Sequence, residues 1–417
     1  MLLIDKPIVR KENTSILLST HLHMDGGNGW INNFPNGGEL YFSTTEEYGN
    51  YLTTESSDCF VVSVLVYAIK HGHDITCDTI SEKLYYNLVR KAIPVIASIH
   101  GTKEIEIKYS HLSNENYHPT AVASGCSLGI DSFSTILDHL SDECPASFKL
   151  THFTYFNVGA NGDIDLNKVK VSYEKDYKLV LEYARSKNIP VVKIESNISQ
   201  VYLGEPANEN YMSRNMAAVL SMQKLFSKYI YASSYPLKDA KFIKKDMAAQ
   251  ESWLLPAWST ESTELITGDP CMVRTAKTKR VASCPDTYKH LYVCWKEVFA
   301  NYGIHEEVTK VKDDFRNCGR CGKCLRTLLT FDILGVIERY KDIFDLDYYY
   351  SNRDVYVSKV IFQRKKNFMF DDIYNLMKAC NYNITLRAKM FTFMRYLYDG
   401  LGLAKFSKIL KKLGLKK

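Results

Sequence analysis

No apolar run in this 417-residue chain approaches the roughly 18 residues that a membrane-spanning helix requires, which argues against a helical membrane protein. The opening "MLLIDKPIVRKENTS" is too short and too charged for a secretory core, so the chain is expected in the cytoplasm. Repeats and low-complexity stretches do not stand out either. Excess charge is also scarce, although the formal balance is +6. Lys405, Lys408, Lys411, Lys412, Lys416 and Lys417 share one acid-free stretch, and removing those six from 53 leaves 47 basic against 47 acidic residues. A neutral body carries no broad nucleic-acid footprint. Within the lysine stretch, Phe406, Ile409, Leu410 and Leu413 fall at helical spacing. Anionic lipid, nucleic acid or an acidic partner would suit such a segment, but a helix packed by its apolar stripe, with solvated lysines, is the simpler expectation.

What is present is ordinary in bulk, with 46% apolar and 24% charged residues, and long enough for two or three domains. Residues 1–117 read as an α/β extension. "TSILLST" and "GELYFST" are predicted strands, and "DCFVVSVLVYAIKHG" is a helix ended by Gly72. "SEKLYYNLVRKAIPVIASIH" is helical with a break expected near Pro94, and "KEIEIKYS" alternates as a strand does. From residue 118 a strand–helix rhythm begins. "TAVASG", "FKLTHFTYFNVG", "IPVVKIES" and "YIYASSY" alternate with the helices of "SFSTILDHL", "YEKDYKLVLEYARSKN" and "SRNMAAVLSMQKLFSKY". Such alternation predicts a doubly wound parallel sheet over 118–270, with ligands at the carboxyl ends of its strands. Loops Ser124–Ser132, Asn157–Gly162, Ser196–Val201 and Ser233–Asp239 should converge there.

The first of these loops, Ser127-Leu128-Gly129-Ile130-Asp131-Ser132, joins a buried strand to a helix. Amides at a helix N-terminus, two serine hydroxyls and flexible glycines suit an anion. Asp131 repels phosphate, so its chemical role there is to hold Mg²⁺ against pyrophosphate oxygens; an N-capped structural turn is the plainer alternative. No lysine follows the glycine, so the loop is not a Walker A motif. "SLGIDS" resembles the SGGxDS loop of the PP-loop ATP pyrophosphatases, with Leu128 in place of the first family glycine. That resemblance implies an adenine-nucleotide α-hydrolase-like fold, ATP as substrate, and release of AMP and pyrophosphate.

Eleven cysteines include Cys318, Cys321 and Cys324 at C-x2-C-x2-C spacing, a turn able to present thiolates to one tetrahedral ion. Cys294 in "LYVCW" is the best fourth ligand, with Cys284 and His290 as alternates, and Zn²⁺ the expected metal; an iron–sulfur cluster or plain reduced thiols would also account for the spacing. The zinc-bearing lobe is expected over 271–345, followed by a helical region over 346–417. The cysteine run resembles that of the 7-cyano-7-deazaguanine synthase family, as do, in order, "SRN" at Ser213–Asn215, "SSYPLKDAKFI" and "LLPAWSTESTELI". The likeness covers roughly residues 120–335. Departures occur at Leu237-Lys238-Asp239 and at a missing lysine, for which Lys277 or Lys279 could substitute.

The resemblance implies a ligase that adenylates a carboxylate and passes the acyl group to ammonia or an amine. Asp131 and Ser132 belong to its loop, Arg214 is the candidate contact for phosphate or a substrate carboxylate, and Asn157, Gly159 and Asn215 are candidates at adenine or ribose. The asparagines read equally well as turn formers. No glutaminase module is evident, so ammonia would be free, delivered by a protein partner, or replaced by a larger amine. Related extended proteins occur in phage-defence and surface-polysaccharide settings, so the resemblance permits a small-molecule or macromolecular substrate, a sugar, a nucleobase or a protein terminus; a homodimer is a separate expectation. Sulfur transfer and a non-catalytic nucleotide-binding scaffold are the competing functions. Cys126 in the loop reads as a packing residue, and His21, His23 and Asp25, like His71, His73 and Asp74, as polar strand-end and turn residues.

Overall fold

The computed structural model describes residues 1–24, 37–159, 166–294 and 315–401. The described residues fall into two units, 1–272 and 273–401.

In the first unit, β1 (Leu2–Ile4), β2 (Ile8–Glu12), β3 (Ser15–Met24), β4 (Glu39–Thr45), β5 (Ile75–Ser81) and β6 (Ile107–Ser113) precede the predicted nucleotide-binding region. Between them lie α1 (Asp58–His71), α2 (Glu82–Asn87) and α3 (Ile93–His100). The region itself runs β7 (Ala121–Gly125), α4 (Ile130–His139), β8 (His152–Asn157), α5 (Leu166–Lys187), β9 (Val191–Ser196), α6 (Tyr211–Leu220), β10 (Phe226–Ala232), α7 (Glu251–Leu254) and β11 (Glu264–Gly268). One sheet holds all these strands in the order β11-β10-β7-β8-β9-β4-β3-β1-β5-β6, with β2 on β3. The protein is α/β as expected, but the sheet is mixed: β11 to β9 pair in parallel, and β4 joins β9 antiparallel. Residues 1–117 therefore extend the same sheet, through Phe42 opposite Ser196 and Ser43 opposite Glu195.

The parallel strands follow the order 3-2-1-4-5 when β7 is counted first. The chain winds outward through β8 and β9, then returns across β7 to β10, so the direction of winding reverses between β7 and β10. Right-handed crossovers then require α4 and α5 on one face and α6 on the other. Side-chain contacts agree. Phe133 of α4 and Phe153 of β8 both meet Tyr183 of α5, while the alternate β8 residues Thr154 and Phe156 meet Tyr229 of β10 on the opposite face. On that second face α1 packs against α6. Nearly all of α1 is buried, and Gly72 ends it in the left-handed conformation (φ 70°), donating its amide to Ala68.

Two local expectations are corrected. The helical stretch around Pro94 is not broken: a π-helical turn over Leu88–Ala92 precedes the proline, which then stands in the first turn of α3 where its missing amide costs little. The helix expected over residues 213–229 stops at Leu220, and Phe226 already belongs to β10.

The second unit is helical: α8 (Arg274–Ala282), α9 (Asp286–His290), α10 (Gly322–Ile333), α11 (Leu346–Gln363), α12 (Phe368–Ala379) and α13 (Leu386–Gly400). Asp345, Asn367 and Thr385 cap α11, α12 and α13 through their side-chain oxygens. Among the described residues no helix is long and apolar enough to cross a membrane. Asp25 and the lysines from Lys405 to Lys417 lie outside the described residues.

Candidate functional site

The loop from Ser127 to Ser132 leaves β7 beside the point where the winding reverses, the position at which open α/β sheets leave a crevice. Cys126 continues the ladder by donating its amide to Thr154, 2.9 Å away. Leu128 then takes φ 57°, the left-handed conformation, at a position the resembled family fills with glycine. For a side chain this costs on the order of 1–2 kcal/mol. Burial offsets it, since Leu128 is 1% exposed. Gly129 is the N-cap of α4 and supplies no capping side chain.

Ser132 braces the turn from inside. Its Oγ donates to the Gly125 carbonyl at 2.6 Å and accepts the Ser127 amide at 3.1 Å. The sequence offered both serine hydroxyls to the ligand, but the Ser132 hydroxyl is engaged in these two bonds and its side chain is buried. Ser127 is exposed, with its Oγ 3.4 Å from the Gly129 amide. Ile130 is buried and Asp131 half-buried in the first turn of α4.

Parallel pairing brings the carboxyl ends of β7, β8, β9 and β10 to one edge. Asn157 ends β8 with its Nδ2 3.5 Å from Glu195, its register partner on β9. Gly159 follows at φ 105°, a conformation open to glycine. Arg214 is 1% exposed, stacks 4.8 Å over the Tyr202 ring, and reaches the Val158 carbonyl at 3.5 Å. Its guanidinium thus lies beside the chain leaving β8. Asn215 lies inside α6, where its Nδ2 donates to the Tyr211 carbonyl at 2.7 Å, a position that is neither a turn nor the helix cap.

Three acids that the sequence did not single out share this edge. Glu251 is 1% exposed and accepts the amides of Ser234 and Tyr235 at 2.5 and 3.3 Å, fixing the loop after β10. Asp246 accepts the Tyr235 hydroxyl at 2.8 Å. Burial first, and then the charges of Glu251, Asp131 and Asp246 among its neighbours, hold the Tyr231 hydroxyl well above the usual phenol range. Asp269, at φ 50°, accepts the Ser134 hydroxyl at 2.6 Å and so ties α4 to the end of β11. Gly268 makes that approach possible, since a Cβ there would lie 2.8 Å from Thr135. "TGDP" was the only signal for this corner, a turn dipeptide after a strand. Glu264, part of the family likeness, lies at the opposite, amino end of β11.

The remaining sequence candidates take structural roles, Cys126 in the core and the others in surface polar pairs. Cys126 is buried and burial pushes its thiol up to about 12, which suits a core residue and not a nucleophile. His23 bonds Asp5 at 2.8 Å, His71 bonds Glu205 at 3.0 Å, and Asp74 accepts the Glu106 amide at 2.9 Å.

In the second unit, Cys294, Cys318, Cys321 and Cys324 are all buried, and their Sγ atoms lie within 4.8 Å of one another. Asn317 assembles the pair of segments: its side chain accepts the Val293 amide at 2.8 Å and donates to the Leu291 carbonyl at 2.9 Å. Gly319 turns the chain at φ 66°, where a Cβ would lie 2.7 Å from the Asp345 carbonyl oxygen. Amides of Cys318, Arg320, Cys321 and Cys324 point at Cys294, Cys318, Cys318 and Cys321 sulfurs over 3.3–3.5 Å. Hydrogen bonding from the neighbouring thiols, Cys294 first, holds Cys318 and Cys321 below the usual thiol range. Burial raises Cys324, and the bond to Cys318 raises Cys294, because four thiolates cannot share so small a volume without a cation. The Cys318 and Cys324 sulfurs are 3.8 Å apart. A tetrahedron with 2.3 Å Zn–S bonds has edges of about 3.8 Å, so the four thiols fit a metal such as zinc. Among the described residues this is the one cluster of three or more such ligands.

Comparison with family models, with curated proteins and with solved structures gives no match for this chain.

Proposed function

We propose that the first unit is an ATP pyrophosphatase of PP-loop type with an adenine-nucleotide α-hydrolase-like core, and that it activates a carboxylate as its adenylate for transfer to ammonia or an amine. One observation carries the reading: the braced left-handed turn at Leu128 stands where the 3-2-1-4-5 strand order reverses. The first amides of α4 and the helix dipole face that crevice and suit the polyphosphate of ATP. A carboxylate is a poor acyl donor, since its leaving group would be oxide. Attack of its oxygen on the α-phosphorus displaces pyrophosphate, and the resulting acyl-adenylate loses AMP when an amine attacks the carbonyl carbon. Asp131 offers a hard oxygen donor of the kind Mg²⁺ prefers, and the ion would offset charge on the departing pyrophosphate. Arg214 is the cation beside β8 for a phosphate or carboxylate, and Asn157 and Gly159 line the same edge for the nucleoside.

Sulfur transfer is disfavoured by Cys126, whose buried thiol is held in its protonated form. The four-cysteine site is proposed to hold structural zinc, because four thiolates leave no open coordination position. Pyrophosphate release from ATP and Mg²⁺, measured with a panel of carboxylates and amines, tests the activity. Asp131→Asn should abolish release while the circular dichroism spectrum is unchanged. Undiminished turnover in that variant would rule out the role given to Asp131.

A further inference from the structure

Helix α13 packs inside out. Its packed side is largely small and polar: Ala388 and Thr392 are buried, Arg395 Nε donates to Ser358 of α11 at 3.0 Å, and Tyr396 meets Phe362 of α11 edge to face at 5.0 Å. The opposite face carries Leu386, Met390, Phe393, Met394, Leu397 and Leu401, which are 45–84% exposed. At 100° per residue these six fall within an arc of about 100°, an unbroken apolar stripe with no charged residue at its centre. Arg387 and Lys389 flank it. A contiguous apolar face of this kind is a contact surface in search of a nonpolar phase.

Charge identifies the phase. Residues 386–417 hold nine of the 53 basic residues and one of the 47 acidic ones, so the remainder of the chain is slightly acidic. Two copies of this chain meeting stripe to stripe would bring like charges together, which disfavours self-association. Nucleic acid would satisfy the lysines but leave the leucines, methionines and phenylalanine in water. An anionic lipid surface satisfies both, and a convex helix face needs no complementary groove when it enters a fluid interface. We propose that the exposed apolar stripe of α13 seats the protein on the surface of an anionic bilayer. Leu397 and Phe393 enter the headgroup–acyl boundary, and Arg387 and Lys389, which flank the stripe, meet the headgroups.

The test is co-sedimentation of the full chain with vesicles of phosphatidylcholine alone and with roughly 30% phosphatidylserine added. Binding is expected to the second and not the first, falling at least about tenfold when salt rises from about 0.1 M to about 0.5 M. Phe393→Glu and Leu397→Glu should each lower binding about tenfold or more without changing the thermal melt, since both side chains are largely exposed. Three outcomes overturn the proposal: no binding to either vesicle, binding that the two stripe variants leave intact, or a dimer that those variants dissociate in the absence of lipid. Binding of single-stranded nucleic acid in place of vesicles does the same. The readout is independent of ATP chemistry.

Discussion

Leu128 tests the loop conformation quantitatively. Replacing it by alanine removes a buried side chain and leaves a cavity, at a cost of about 3 kcal/mol. Alanine would still stand at φ 57° and keep the left-handed strain. Replacement by glycine removes the β-carbon as well but relieves on the order of 1–2 kcal/mol of strain. Against this, glycine gives the unfolded chain extra freedom, worth about 0.4–1 kcal/mol. At an ordinary buried position the alanine variant is therefore the more stable of the two. Here the order inverts, with Leu128→Gly expected to be more stable than Leu128→Ala by about 0.5–1 kcal/mol. That is a two- to fivefold difference in the unfolding equilibrium. Urea unfolding of both variants, followed by far-ultraviolet circular dichroism, measures it. An alanine variant equal to or more stable than the glycine variant would refute the left-handed turn.

Two further outcomes follow from the described geometry. Purified protein should contain one metal ion per chain, and chelation or Cys321→Ser should unfold the second unit, because a four-thiolate site supplies folding free energy directly; a metal content below half an equivalent would contradict this. Glu205 lies against Lys70 and His71: burial alone would raise its carboxyl, but those two bonds leave it below its ordinary 4.5. A depressed folded-state value means stabilisation present above about pH 4.5 and lost as pH falls through the folded value, so Glu205→Gln should flatten the acid side of the stability profile. An unchanged acid limb would contradict the pairing.

Where the chain repeats a strand and a helix with clean periodicity, its architecture was readable. β7 to β10 and the edge at which their loops gather follow from apolar runs and turn residues. The joining of β4 to β9 was not readable, because antiparallel pairing between segments some 150 residues apart leaves no mark in either one. β1 and β11 were missed as well, being short strands whose pairing is set by their neighbours in space. At the site, the loop and the cysteines have fixed local spacing and could be found. Glu251, Asp246 and Asp269 reach the same edge only through the returning chain after β10, so no spacing predicts them. The Ser132 hydroxyl shows the converse: the residue was found, but its bonds to Gly125 and Ser127, which brace the turn, leave no mark in the spacing.

The most direct measurement is a crystal structure of the full chain with Mg²⁺ and a non-hydrolysable ATP analogue. The account predicts polyphosphate density against the amides that open α4, with Asp131 turned toward the cation. Nucleotide bound elsewhere, or the Leu128 side chain occupying that crevice, would contradict it.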